Sequence, residues 1–289
     1  MYYLANDAVL DQAIAFLNSV RRYNPTIPLW LVPFDDRVDA VLALRDRYAF
    51  DVWHDADLLA RCDAISERFH GKVLGHYRKL ALWEGPLQRF LYIDCDTVVL
   101  EPLDFVFEYL NRADVITAHS DGPGMRRWVW RDSMTPAVSG LTETQLAYSA
   151  NTGFICSWKG CLPFGDLATR ISEAYALRDH LQLDCYEQPV LNYLIVTSGR
   201  RYTSLHTIAV EDGRPDIPME RWAATADEVV VRDGRIVSPA SPRTLLLHWA
   251  GHWQQARQTN TQIPLYELWR FYRDGSAPAT PIAATRVDQ

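Results

Sequence analysis

Phe90-Leu91-Tyr92-Ile93-Asp94-Cys95-Asp96-Thr97-Val98-Val99 is the stretch that decides how this chain folds. Four consecutive apolar residues with no polar alternation suit a strand covered on both faces, as in a parallel α/β sheet. The run ends in Asp94 and Asp96, which on an extended chain point to the same side. Two carboxylates so placed repel each other unless something positive lies between them. A hard divalent cation such as Mn2+ or Mg2+ meets that demand with oxygen ligands. The bland alternative is a capping pair at a strand end.

On either side of this stretch, strand and helix signals alternate. Tyr2 to Ala5 reads as a strand, and Val9, Ala13, Phe16, Leu17 and Val20 then recur at helical spacing until Asn24-Pro25. Leu29 to Val32 is a second strand, followed by a helix through Val38, Val41, Leu42 and Leu44, and Phe50 to Trp53 a third strand. Residues 72 to 84 read as a helix with Val73, Tyr77, Leu80 and Trp83 on its apolar face, stopped by Gly85-Pro86. Strands alternating with helices predict an α/β domain with a mostly parallel central sheet flanked by helices.

The second half is less regular. Asp114 to Ala118 and Phe154 to Trp158 read as strands, and residues 164 to 178 as a helix. Residues 187 to 196 read as a short helix running into a strand. Val229 to Val231 and Arg235 to Val237, joined by Asp233-Gly234, read as a hairpin. Leu245 to Leu247 is the last buried strand and leads into His248. Pro264 starts a final helix with Leu265, Leu268, Trp269 and Tyr272, more suited to closing a core than to meeting a partner or a membrane surface. Between the strands, residues 119 to 148 are rich in Gly and Pro and carry Trp128 and Trp130. Irregular stretches of that length are often functional. No linker divides the chain, so one domain over residues 1–275 is expected, with a nucleotide-binding half (1–120), a second half (121–275) and a flexible tail at 276–289.

Composition narrows the partners. The chain has 36 acidic against 29 basic residues, a net charge of −7, with no basic stripe, which argues against nucleic acid. The odd count of five cysteines at scattered spacing argues against a disulfide framework and for reduced thiols. No apolar run reaches the ~20 residues that span a bilayer. With Met1 leading straight into the first strand, no signal peptide is expected. A soluble, cytoplasmic protein follows, with peripheral membrane contact and oligomeric state left open.

Three polar clusters fall at the carboxyl ends of predicted strands, where open α/β sheets bind ligands. They are Asn6-Asp7, Asp94-Cys95-Asp96 and His248, far apart in sequence. Neutral imidazole is a good Mn2+ ligand.

With these residues in hand, a resemblance can be stated. Tyr77-Arg78-Lys79-Leu80 followed by Phe90 to Val99 resembles the core of the retaining glycosyltransferases of family 8, the glycogenin and lipopolysaccharide galactosyltransferase family. Asn151-Thr152-Gly153 resembles that family's Asn-x-Gly turn. Glu187-Gln188-Pro189-Val190-Leu191-Asn192 resembles its Asp-Gln-x-x-Leu-Asn segment, and His248-Trp249-Ala250-Gly251 its His-x-x-Gly motif. The pieces fall in the family's order from residue 2 to about residue 255.

The resemblance implies a single GT-A-type domain that transfers a hexose from a UDP-sugar to an acceptor hydroxyl with retention of configuration. It implies a carbohydrate or glycoconjugate acceptor on the side of the acceptor-side half (121–275), with Trp128 and Trp130 either stacking on a sugar face or packing in a half-buried strand. Asp94, Asp96 and His248 would hold Mn2+ or Mg2+. Ala5 and Asn6 would lie near base and ribose, with Cys95 in the same donor-binding set. Lys79 would touch the donor, and Asn151, in a turn with Gly153, would hydrogen-bond the transferred sugar. Gly251 would let the backbone approach the phosphates, and Gln188 would lie under the anomeric carbon, with Glu187 beside it to position the acceptor or offset positive charge.

Two positions depart from the family. Gln254 stands where a lysine normally binds the diphosphate, which leaves Arg257 or an arginine of residues 119 to 148 to supply the charge. Glu187 stands where Asp is usual. Two other readings compete. Asp94-Cys95-Asp96-Thr97-Val98 also fits the D-x-D-x-[TV] signature of haloacid-dehalogenase-like phosphatases, although three strand signals precede it. Loss of the lysine also suits a non-catalytic nucleotide-sugar-binding protein.

Overall fold

The computed structural model describes residues 1–120, 124–223, 231–232, 235–236 and 243–275. Its strands are β1 (Tyr2–Ala5), β2 (Leu29–Pro33), β3 (Phe50–Val52), β4 (Arg89–Ile93), β5 (Thr97–Val99), β6 (Val115–Thr117), β7 (Phe154–Trp158), β8 (Tyr202–Ser204), β9 (Met219–Trp222), β10 (Val231–Arg232), β11 (Arg235–Ile236) and β12 (Thr244–His248). Seven of them form one sheet in the order β3-β2-β1-β4-β7-β6-β8. Pairing is parallel for β2 with β3, β1 with β4, and β6 with β8. β7 runs antiparallel to both its neighbours. The α/β architecture read from the alternating pattern is therefore present.

The chain divides into two compact units. The first comprises Met1–Leu4, Trp53–Ile93 and Asp104–Pro215. Here β4 is buried along Phe90 to Ile93, as its unbroken apolar run requires. Gly85 is fixed by packing, because a Cβ there would collide with the Tyr2 ring and hydroxyl. The same hydroxyl accepts a hydrogen bond from the Leu87 amide at 2.9 Å.

One expected helix in this unit takes another form. Gly75–Glu84 is a 3-10 helix, not an α-helix. Its apolar anchors Tyr77, Leu80 and Trp83 are three residues apart, and side chains at i and i+3 eclipse in a three-residue turn. Residues 188–196 form a helix as read, but the strand that follows is delayed to Tyr202–Ser204.

The second unit comprises Ala5–Val52, Asp94–Leu103 and Asp216–Gln289. The helix Leu10–Tyr23 buries Ala13, Phe16, Leu17 and Val20, the positions its periodicity marks. Asn18 on this helix donates to the carbonyls of Tyr272 and Gly275 at 2.7 and 3.0 Å. The last helix, Tyr266–Asp274, buries Leu268, Trp269 and Tyr272 in a core with Val98, Leu247 and Trp249. It starts after Leu265, which sits at φ 50. The Pro264 carbonyl accepts instead from the Trp249 indole at 2.6 Å.

The strand carrying His248 does not belong to the large sheet. β12 lies at the centre of a three-stranded sheet ordered β5-β12-β9. It runs antiparallel to β5 and parallel to β9. The expected hairpin is present in part: β10 and β11 pair antiparallel, while Val229, Val230, Asp233, Gly234 and Val237 lie outside the described residues. The tail 276–289 and Gly122-Pro123 lie outside them as well. No described helix is long and apolar enough to cross a membrane.

Candidate functional site

In the second unit, Asp94, Asp96 and His248 each offer a ligand atom, and these atoms lie within 4.8 Å of one another. Local chemistry explains the meeting. The Thr97 hydroxyl donates to the Asp94 carbonyl at 2.8 Å, which folds the turn after β4. Register then sets Thr97 opposite His248 in the β5–β12 ladder. The Trp249 amide locks the junction by donating to the Asp96 carbonyl at 3.0 Å. The His248 Nε2 lies 3.2 Å from Asp96 Oδ1.

The other ring nitrogen is also engaged. His248 Nδ1 lies 2.6 Å from Glu220 Oε1, and the Glu220 side chain is fully buried. Burial alone would favour neutral imidazole. The carboxylates of Asp96 and Glu220 outweigh it and hold the His248 pKa well above its usual value. Two carboxylates and an imidazole at this spacing offer a donor set for a divalent metal ion.

The carboxyl end of β1 lies in the same unit. Asn6 is buried and donates from Nδ2 to Asp35 Oδ2 at 2.8 Å. Burial works against the Asp35 charge, but hydrogen bonds from Arg37 and Asn6 prevail and lower its pKa. The Ala5 carbonyl accepts from the Phe34 amide at 3.0 Å, and Asp7 Oδ1 from the Val41 amide at 3.1 Å. Ala5 is fully buried.

Gly251 sits at φ 74, a left-handed conformation that glycine adopts without penalty, and caps the helix His252–Thr259. Arg257 on that helix is exposed and lines a cavity of about 540 Å3 with Asp7, Asp11, Gln12, Trp253 and Tyr266. Arg257 lies in the same compact unit as Asp94 and Asp96.

In the first unit a second cluster forms. Lys79 Nζ lies 2.7 Å from Glu187 Oε1, with both side chains buried. The Thr152 hydroxyl donates to the same carboxylate oxygen at 2.9 Å. Gln188 is held at both ends of its amide: Oε1 accepts from the Thr152 amide at 3.2 Å and Nε2 donates to the Trp128 carbonyl at 3.0 Å. Asn151 Oδ1 accepts from the Gly153 amide at 2.9 Å, which shapes the turn. Tyr186, just before Glu187, adopts φ 58 and ψ −120 and stacks on His76 at 4.3 Å. A bulky residue there stores about 1–3 kcal/mol of strain, a feature that clusters at functional sites.

No family model matches the sequence, and no curated protein does. Solved structures do match. An active-site mutant of LgtC aligns over 97% of this chain and 96% of its own, at 14% identity and a TM-score of 0.58. The galactosyltransferase LgtC in complex with donor and acceptor sugar analogues covers the same shares, at 15% identity and a TM-score of 0.54. Mouse xyloside xylosyltransferase 1 aligns over 91% of this chain and 98% of its own, at 13% identity and a TM-score of 0.50.

The chain has the GT-A glycosyltransferase fold.

Four residues that support one or other of the two clusters were not given a role by the sequence. Thr97 folds the aspartate turn, and Thr152 ties Glu187 to Gln188. Asn192, fully buried, clamps Ala150 through both its carbonyl and its amide, at 2.7 and 2.9 Å. Its place in the Glu187 to Asn192 motif was the available signal. Glu220 had none, because it lies in no motif. The two tryptophans of the 119 to 148 segment separate: Trp128 is 47% exposed and Trp130 only 1%. Cys95 is half-buried between the aspartates. Cys185, two residues before Glu187, is pushed up to about 11 by burial and by the nearby Asp184 and Glu187 carboxylates, so it stays a thiol at neutral pH.

Proposed function

We infer that this protein is a nucleotide-sugar-dependent glycosyltransferase that moves a hexose from a UDP-sugar to an acceptor hydroxyl with retention of configuration. The observation that carries the reading is the convergence of Asp94, Asp96 and His248 on one point within a GT-A fold. A divalent cation held there, when bound, offsets negative charge on a diphosphate. Ala5 and Asn6, with Cys95, belong to the nucleotide end in this reading, and Gly251 gives phosphates access to bare backbone. Arg257 takes the part of the lysine that Gln254 replaces.

Gln188 and Asn151 face the sugar. The bond from anomeric carbon to diphosphate oxygen breaks, the acceptor oxygen bonds to that carbon, and its proton passes to the departing phosphate. Gln188 is a feeble nucleophile, and its amide is already committed to Thr152 and Trp128. A same-face attack assisted by the leaving group therefore fits better than a covalent intermediate. Glu187, paired with Lys79, holds Thr152 and through it the sugar-facing turn. Electrostatic preorganisation of this kind is usually the largest catalytic contribution.

Thermal stabilisation by UDP-glucose, UDP-galactose and other nucleotide sugars, with and without Mn2+, tests the reading. A ligand at a hundredfold its Kd adds about 2.7 kcal/mol of stability. A Mn2+-dependent rise in Tm with one donor, followed by transfer or hydrolysis of its sugar, supports it. Absence of any shift across the panel sinks it. A shift without turnover would favour a non-catalytic nucleotide-sugar-binding protein. The phosphatase alternative loses ground because β1, β2 and β3 precede the aspartate motif. Aryl-phosphatase activity without sugar transfer would restore it.

A further inference from the structure

The proposed metal set leaves one buried carboxylate without a role. Glu220 sits on β9, where register sets it opposite Leu246 of β12 and sets Trp222 opposite His248. Residues two apart on a strand share a face, so Glu220 and His248 are diagonal neighbours on one side of the small sheet. That explains the 2.6 Å contact between Glu220 Oε1 and His248 Nδ1. The His248 side chain is 3% exposed and that of Glu220 0%, so no bulk water competes for the contact. A carboxylate buried with no exposure is costly to desolvate, and the fold retains it beside an imidazole.

We propose that Glu220 is a positioning residue for the metal centre: it accepts a hydrogen bond from the Nδ1–H of His248, fixes the ring, and commits Nε2 to the cation shared with Asp94 and Asp96. The inference rests on the metal reading made above. Its physical basis is that a metal-ligating histidine binds through one nitrogen and needs the other anchored. A carboxylate on that second nitrogen sets the tautomer and strengthens the ligand. The geometry supplies the rest, since Nε2 already faces Asp96 Oδ1 at 3.2 Å. Glu220 touches neither donor nor acceptor in this scheme and acts only through His248.

The test uses Mn2+ alone as probe and the electron paramagnetic resonance signal of the free ion as readout, with no substrate present. Glu220→Leu removes the acceptor, whereas Glu220→Gln keeps an oxygen acceptor without its charge. Loss of such an outer partner typically costs about 10- to 100-fold in metal affinity. We expect the leucine variant to lose that much and the glutamine variant to fall between it and wild type. A folded Glu220→Leu protein that binds Mn2+ as wild type does overturns the inference. If the leucine variant does not fold, Glu220→Gln decides: an affinity within twofold of wild type overturns the inference, and a larger loss supports it. No Mn2+ binding by the wild type overturns the metal reading and this inference together, which separates the two failures.

Discussion

Lys79 Nζ and Glu187 Oε1 lie 2.7 Å apart with both side chains buried, so two motifs more than a hundred residues apart in sequence meet as an ion pair. Breaking a buried pair from one side strands a charge, which typically costs about 3–5 kcal/mol. Lys79→Met and Glu187→Leu should each destabilise the protein by that order in urea denaturation. The double variant should lose less than the sum of the two. Strict additivity would show that the pair is not coupled. Loss of activity in Glu187→Ala is therefore not, by itself, a sign of a chemical role.

Gln188 separates chemistry from folding more cleanly. It is only half-buried, and its amide makes two neutral hydrogen bonds, each worth a net of about 0.5–1.5 kcal/mol. Gln188→Ala should keep the fold and reduce sugar transfer by about 100-fold, the effect expected when a reacting centre is misplaced by roughly 1 Å. Full activity in steady-state assays would remove Gln188 from the site.

How much could be read from the chain depends on what kind of contact each residue makes. Phe90 to Ile93 announced β4 because burial on both faces leaves a continuous apolar run. Asp94, Asp96 and His248 were legible as strand-end candidates, and they do cluster. The sheet that unites them was not, because β5 is three residues long and pairs with a strand nearly 150 residues later. Glu220 stayed hidden for a different reason. Met219-Glu220-Arg221-Trp222 has two charged residues in a four-residue strand, and nothing local tells a buried carboxylate from a solvated one. The spacing of Tyr77, Leu80 and Trp83 suited both helix types, and the 3-10 form prevailed in the folded protein.

Gly251 offers a test of backbone geometry. Its φ of 74 places an L side chain in the left-handed region, although space beside it is open. Gly251→Ala should therefore cost about 1–2 kcal/mol through conformation rather than collision. Donor affinity should also fall if phosphates approach this backbone. Gly85→Ala is the contrasting case, because there the added methyl meets the Tyr2 ring. A Gly251→Ala protein with unchanged Tm and unchanged donor binding would contradict both parts.

The charge on His248 predicts opposite pH trends for stability and metal uptake. Asp96 and Glu220 face the ring, and their attraction outweighs burial, so the folded pKa lies well above the usual 6.5. A group whose folded pKa is raised stabilises the metal-free fold fully below the unfolded value. That contribution is lost as pH rises through the folded value. Metal binding needs the Nε2 lone pair, so a proton must leave before the ion is held. Mn2+ affinity should therefore increase over the same range in which metal-free stability declines. Mn2+ titrations at rising pH above the usual 6.5 follow the first trend, and thermal denaturation in chelator follows the second. His248→Gln should flatten both. A wild-type Mn2+ affinity that does not change with pH would mean that His248 is not a ligand.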